Sequence, residues 1–307
     1  MRCCATPKQI TVAPLEPQAA AHFCMPELPE VEVLTRHLRP LLKGRTIHAV
    51  EVRRSRVLQP TPVADFKKLL AGATFVDVTR RAKYLRFEMR AKGSRTHFVL
   101  LGHLGMTGRM YLASKADPLP KHAAVILDLG RRNFIYDDTR YFGRLTLNTT
   151  PLEKLGPEPL GDDFTPEVLA AGLRRSRQPV KVKLLDQAMV AGIGNIYASE
   201  ALFLAGISPR RPANRLTRLQ VEKLWASIRK ILVTAIKFGS TVPLNFGPDE
   251  SDGLFYYGSA NGGRDFYTER LRVYDRGGKP CYVCELPLKR IVQGARSTFF
   301  CPRCQKA

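Results

Sequence analysis

The strongest constraint on how this chain can fold lies near its end, where Cys281-x2-Cys284 is followed, sixteen residues on, by Cys301-x2-Cys304. Each pair belongs on a tight turn, and two such turns at this separation read as a zinc ribbon, four thiolates clasping one tetrahedral Zn2+ ion. A disulfide framework is the competing use of these cysteines. Two facts oppose it: Met25 to Pro280 holds no cysteine, and Cys3, Cys4 and Cys24 lie in a segment that reads as an extension. That usage suits a reducing cytosol. Four cysteines leave no open coordination position, so the metal is structural.

Length and charge indicate what such a module serves. The 307 residues suffice for two or three domains, and at 44% hydrophobic they can bury real cores. Lys plus Arg exceeds Asp plus Glu by 49 − 27 = 22, an excess that repels itself in the folded state unless it faces a polyanion. Nucleic acid is the first partner this implies. A membrane surface is the alternative, but the sequence has neither an uninterrupted apolar stretch of spanning length nor a basic amphipathic anchor. Residues 1–24 do not read as a secretory signal, because Arg2 and Lys8 are followed by Pro14, Glu16, Pro17 and Gln18 rather than a continuous apolar core.

From Thr46 to about Leu147 the pattern has the short period of strands. Ile47–Val52, Phe75–Val78 and Tyr84–Met89 alternate apolar with polar, Phe98–Leu101 and Val125–Leu127 are short buried-strand runs, and Gly130-Arg131 turns a hairpin into Asn133–Tyr136. A helix follows Pro29, with Val31, Leu34, Leu38 and Leu41 along one face. After Pro157 and Pro159 the period lengthens: Val221, Leu224, Trp225, Ile228, Ile231, Leu232 and Ala235 form one helical stripe. Between Gly239 and Tyr274 lies a Gly, Ser and Asn-rich segment holding Phe255, Tyr256, Tyr257, Phe266 and Tyr267, too long for a simple connector and read as a functional loop. The fold class is α+β multidomain. It divides into an extension (1–24), a β-sandwich with flanking helices (25–150), a helical domain with the long loop (151–262) and the zinc module (263–307).

The run Met25-Pro26-Glu27-Leu28-Pro29-Glu30-Val31-Glu32 carries the chemistry. Pro26 and Pro29 can simply open a helix whose positive end favours the carboxylates. But a methionine followed by proline is also a natural start, and removal of Met25 leaves a secondary amine beside a carboxylate. Together with Arg80-Arg81-Ala82-Lys83-Tyr84-Leu85, His103-Leu104-Gly105-Met106, Asp138-Thr139-Arg140-Tyr141-Phe142-Gly143, Leu155–Leu160, Gly192–Glu200 and the four cysteines, this run resembles bacterial formamidopyrimidine-DNA glycosylase. The similarity runs in the family's order from Met25 to the C-terminus. The opening Pro-Glu-Leu-Pro-Glu-Val favours this branch over its relative, endonuclease VIII.

The resemblance implies a bifunctional DNA glycosylase and AP lyase that removes oxidised purines from double-stranded DNA, a helix–two-turn–helix domain, one structural zinc ion and a cytoplasmic, nucleoid-associated location; a one-lesion active site gives no reason to expect more than a monomer. Pro26 is implied as nucleophile; an α-amino group titrates near pH 8, so a substantial minority is neutral at neutral pH. Glu27 is implied as general acid, whereas Glu30 reads as structural. Lys83 is implied as a phosphate holder next to the lesion, and Lys181 as a second phosphate ligand. Everting a base costs a few kcal/mol and leaves a hole in the stack, which Met106, Arg140 and Phe142 are implied to fill, Arg140 donating to the orphaned cytosine. Asn195 is expected to cap a helix whose start meets a phosphate, Arg296 to grip a phosphate from the zinc module, and the resemblance adds His122 to the DNA contacts.

The chain also departs from the family. The 239–274 segment is longer and more aromatic than the family loop that closes over 8-oxoguanine, and Tyr141 replaces a residue that is often basic. Twenty-four residues precede Met25, and while attached they make the Pro26 nitrogen an amide without a basic lone pair; translation is therefore expected to start at Met25, or the extension to be removed. With the extension retained, the alternative is a lesion- or junction-binding protein without catalysis. A purely structural zinc-ribbon partner of a nucleic-acid machine leaves Pro26-Glu27 and Arg140–Phe142 unexplained. If about six phosphates are gripped, log affinity is expected to fall against log salt with a slope near −5, at ~0.9 per phosphate; a slope near zero in a binding titration sinks the electrostatic account.

Overall fold

The computed structural model describes residues 25–238 and 271–306, together with the backbone of residues 244–245 and 254–255. The extension and most of the long aromatic segment therefore lie outside the described residues.

Alternating apolar residues make the sandwich. Its strands are β1 (Ala49–Val52), β2 (Thr74–Arg81), β3 (Tyr84–Arg90), β4 (His97–His103), β5 (Gly108–Ser114), β6 (Ala123–Asp128), β7 (Arg132–Asp138) and β8 (Arg144–Thr146). They form two antiparallel four-stranded sheets, in the orders β1-β6-β7-β5 and β2-β3-β4-β8. Along β3, Leu85, Phe87 and Met89 point inward and their neighbours outward. Phe87 meets Phe75 of β2 and Phe134 of the opposite sheet edge-on, with ring centroids 5.9 and 5.6 Å apart, so aromatic packing joins the two sheets. The Gly130-Arg131 turn is as the sequence predicts, with Gly130 at φ +93° between β6 and β7. β5 was not expected from the pattern. Its seven-residue ladder with β7, Gly108↔Asp138 to Ser114↔Arg132, makes it a strand.

Helix α1 (Leu28–Leu42) begins with Pro29 in its first turn and packs Val31, Leu34 and Leu38 into the sandwich core. The predicted stripe shifts at its end: Leu41 is half-buried and Leu42 takes the inward position. Leu28, by contrast, belongs to the core of the second domain. The first turn of α1 therefore crosses the boundary that the sequence placed between 25–150 and 151–262. A short helix α2 (Val63–Leu70) completes the first domain.

The second domain contains α3 (Pro166–Arg174), α4 (Val180–Leu184), α5 (Asn195–Leu204) and α6 (Arg218–Phe238). The predicted α6 stripe faces its core, with Trp225 half-buried and its Nε1–H donated to the Phe164 carbonyl at 2.6 Å. A two-strand ladder, β9 (Leu244–Asn245) with β10 (Leu254–Phe255), lies in the long segment. The zinc module is a hairpin of β11 (Lys289–Gln293) and β12 (Arg296–Phe300). Buried Glu200 of α5 anchors the chain entering it, accepting the backbone N–H groups of Arg272, Val273 and Tyr274 at 2.8–2.9 Å. Burial is the largest influence on this carboxyl and raises its pKa, against the pull of those three donors.

Candidate active site and nucleic-acid interface

A cavity of about 350 Å³ opens where the three modules meet, lined by Met25 and Glu27 from the chain's approach to α1, Lys83 and His103 from the sandwich, Asn195 from α5 and Arg296 from the zinc hairpin, among others. Glu27 is buried at its floor. Its Oε2 accepts the Gly194 N–H at 2.7 Å, its Oε1 accepts the Ile196 N–H at 2.9 Å, and the Tyr197 N–H approaches Oε2 at 3.4 Å. The carboxylate thus occupies the N-terminus of α5, where unpaired backbone donors and the helix dipole favour an anion. Gly194 is required there because a Cβ would collide with the Glu27 carboxylate. Burial nonetheless prevails over these donors and over Lys83, and pushes the Glu27 pKa up to about 7, with Glu30 adding to the rise. Glu30 has the structural role expected of it. It accepts the Glu27 backbone N–H at 2.9 Å and the Tyr197 hydroxyl at 2.6 Å, which fixes the peptide next to Pro26.

Two expectations change. Asn195 is not the cap of α5: it is the first helical residue after Gly194, and Glu27 reaches across from the other domain to fill the helix end. Lys181 is fully buried, and its Nζ donates to Asn195 Oδ1 at 2.5 Å, the Ser297 carbonyl at 2.9 Å and Thr298 Oγ1 at 2.6 Å. All three ammonium donors are committed inside the protein, so Lys181 braces α5 against the zinc hairpin in place of the phosphate contact expected of it. Burial is the main cause that takes its pKa down to about 8.

Lys83 sits in the two-residue turn from β2 to β3, following Ala82 at φ +53°. That turn is tied to the linker between the domains. Glu158 accepts from Arg80 at 2.8 Å, from Arg81 at 3.0 Å and from the Ala82 N–H at 2.5 Å, while Arg81 also donates to the Gly156 carbonyl at 2.6 Å. His103 and Tyr274 line the cavity although no role was read for them in the sequence. His103 opens the His103-Leu104-Gly105-Met106 motif, but nothing in that motif marks the imidazole itself as a cavity residue. Burial foremost, then Lys83 and Arg144, take the His103 pKa down to about 4. Its Nδ1 accepts the Gly105 N–H at 3.1 Å, which leaves Nε2–H as the donor of a neutral imidazole.

The structure brings Met106, Arg140 and Phe142 together. Asp138, fully buried, holds the base of their loops, accepting from Thr107 Oγ1 at 2.6 Å, the Arg140 N–H at 3.1 Å and the Gly143 N–H at 2.9 Å. Gly105, at φ +63°, allows the 104–107 loop to lie against the Gly143 backbone. Arg140 lies over the Phe142 ring at 4.7 Å and reaches Met106 Sδ at 3.4 Å, and Phe142 is 46% exposed. An exposed aromatic beside a cation and a thioether is suited to entering a base stack. His122 stands outside the cavity, beside Tyr141.

The sulfur atoms of Cys281, Cys284, Cys301 and Cys304 all lie within 4.8 Å of one another, a set of four soft donors of the right number and spacing for tetrahedral zinc. Backbone N–H of Cys304 points at Cys301 Sγ at 3.4 Å, as around a metal-bound thiolate. One structural zinc ion is held here. Cys284→Ser is expected to lose zinc and DNA binding together, measured by metal content and a duplex-binding titration; normal binding without metal refutes the hairpin's role.

Fold and cleft define a class: a two-domain nucleic-acid protein of helix–two-turn–helix and zinc-finger type. Family models agree along the chain. The formamidopyrimidine-DNA glycosylase N-terminal domain matches residues 25–145, the H2TH domain of that glycosylase 155–244, and the zinc finger found in FPG and IleRS 278–307. The chain is 45% identical over 289 residues to formamidopyrimidine-DNA glycosylase of Chloroflexus aggregans, covering 92% of this chain and 98% of that one. It is 42% identical over 299 residues to the Paracoccus denitrificans protein of the same name, covering 92% and 100%. Among solved structures, Lactococcus lactis Fpg bound to abasic-site DNA superposes with TM-score 0.80 at 34% identity, covering 92% of this chain and 100% of that one. MutM in complex with carbocyclic 8-oxo-G containing DNA gives TM-score 0.80 at 35% identity, with the same coverage. The chain belongs to the formamidopyrimidine-DNA glycosylase family.

Proposed function

We propose that this protein is a base-excision DNA glycosylase and AP lyase that removes oxidised purines, 8-oxoguanine and formamidopyrimidines, through an N-terminal Pro26. The observation that carries the reading is the carboxyl of Glu27, buried at the cavity floor with a pKa near neutrality, adjacent in sequence to Pro26. Met25 and Glu27 line the cavity on either side of Pro26, and removal of Met25 would free the Pro26 nitrogen beside it. The neutral amine attacks C1′ of the everted nucleotide and the base departs. Because proline is a secondary amine, the product is an iminium ion, which acidifies C2′ and permits elimination of the 3′ and then the 5′ phosphate. Glu27, protonated, assists opening of the sugar ring and afterwards shuttles protons.

Around this centre Lys83 and Arg296 supply positive charge for the flanking phosphates, and the neutral His103 supplies a hydrogen-bond donor. Met106, Arg140 and Phe142 fill the vacated stack, with Arg140 reading the orphaned cytosine. His122 contacts the backbone beside that wedge. No helix among the described residues is long and apolar enough to cross a membrane. We read the enzyme as a cytoplasmic monomer, since a site for one lesion calls for no second copy.

Glu27 must carry its proton to act, and its pKa is raised to about 7, while the attacking amine must be neutral and titrates near pH 8; single-turnover base excision is therefore expected to level off between these values and to fall about tenfold per pH unit above both. Glu27→Gln is expected to bind lesion DNA and stall in excision, without that alkaline limb. Rapid turnover by this variant moves the general acid elsewhere. The deciding experiment is borohydride trapping on a duplex carrying one 8-oxoguanine opposite cytosine, with proteins verified by mass to begin at Met1 and at Pro26. An adduct from the shorter protein alone establishes the terminal amine as nucleophile. Equal adducts from both shift the nucleophile to an internal lysine, Lys83 first, and none from either favours lesion binding without catalysis.

A further inference from the structure

Tyr141, between Arg140 and Phe142, adopts φ +52°, the left-handed region that side-chain-bearing residues rarely occupy unless neighbours hold them there. Its surroundings supply that hold. The ring is half-buried and packs on the sandwich core. Arg54, on the segment after β1, lies over the ring with Cζ 5.6 Å from the centroid and donates its Nε–H to the phenol oxygen at 3.3 Å. His122 meets the ring edge-on at 6.4 Å, with Nδ1 3.4 Å from the same oxygen. Because Arg54 donates to that oxygen, the phenol proton is free to turn toward His122 Nδ1, and one hydroxyl serves both neighbours.

The left-handed residue has a geometric consequence. It sends its own side chain to one side and lets its neighbours meet on the other, where Arg140 stacks on Phe142 at 4.7 Å. We propose that Tyr141 is the positioning residue of this wedge: strapped between Arg54 and His122, it sets the angle at which Arg140 meets the base opposite the lesion and so the preference for cytosine there. The proposal rests on the reading that Arg140 and Phe142 enter the duplex. It assigns Tyr141 and Arg54 no part in the bond-breaking steps, which occur at Pro26 and Glu27 on other elements.

The test uses protein beginning at Pro26, as wild type, Tyr141→Phe, Tyr141→Ala, Arg54→Ala, the Arg54→Ala/Tyr141→Phe pair and Arg140→Ala. Single-turnover excision of 8-oxoguanine opposite cytosine and opposite adenine gives the preference; cleavage at a preformed abasic site and the thermal midpoint are measured alongside. Tyr141→Phe is expected to narrow the cytosine preference about fivefold, the factor that one modest hydrogen bond is worth, with abasic-site cleavage and thermal midpoint kept. Arg54→Ala should narrow it similarly, and the pair no further than either alone, the signature of one coupled contact. Unchanged preference in Tyr141→Phe and Tyr141→Ala while Arg140→Ala abolishes it overturns the proposal, as does equal loss of excision and abasic-site cleavage in Tyr141→Phe. Unchanged preference in Arg140→Ala strikes instead at the wedge reading itself. Tyr141→Phe keeps the ring and its packing, so its result stands even where Tyr141→Ala fails to fold.

Discussion

Everything at the cleft depends on one buried carboxylate placed at the end of another domain's helix. Glu27 leaves the sandwich's first helix and fills the N-terminus of α5, which leaves neither the acid nor the helix end unsatisfied. Hydrogen bonds to a charged group contribute about 1.5–3 kcal/mol each. Even so, the rise of the Glu27 pKa from 4.5 to about 7 means that the ionised form is disfavoured by about 3 kcal/mol relative to water. Burial therefore wins, by a margin that leaves the group half-protonated at neutral pH. The contact that joins the domains is thus also the contact that tunes the acid.

Other polar links hold the remaining pieces to the same point. Glu158 in the interdomain linker gathers Arg80, Arg81 and the Ala82 N–H, so that the turn carrying Lys83 cannot drift from the helical domain. These groups are largely shielded from water, with Arg80 only 10% exposed, unlike the open Arg218–Glu222 pair, which contributes little. Lys181 ties α5 to the zinc hairpin from below, and Glu200 ties the returning chain to α5 from behind. The zinc ion holds a hairpin whose tip, at Arg296, completes the cavity wall.

Much of this was legible in the residues. Strands with alternating patterns and the Gly130-Arg131 turn are local features, and the sequence places them correctly. β5 is not legible locally because its strand character comes from seven cross-strand partners on β7 that lie between 18 and 30 residues further along. The cysteine spacing announces its metal because a tetrahedral ion imposes short-range geometry. Pro26, Glu27, Met106, Arg140 and Phe142 stand out only through motif resemblance, whereas His103 and Tyr274 do not, as a single histidine or tyrosine beside a strand carries no local mark of a cavity.

The sequence by itself determined most of the elements and the metal, and set a proline beside the carboxylate of Glu27, since propensity and spacing are properties of neighbouring residues. Only the tertiary structure decided what the polar side chains do. Lys181 becomes a brace because burial leaves its three donors no water, Asn195 yields the helix cap to Glu27, and Glu27 itself acquires a near-neutral pKa. Each outcome depends on groups more than ten residues apart arriving at one desolvated point, and no local pattern encodes the cost of that desolvation.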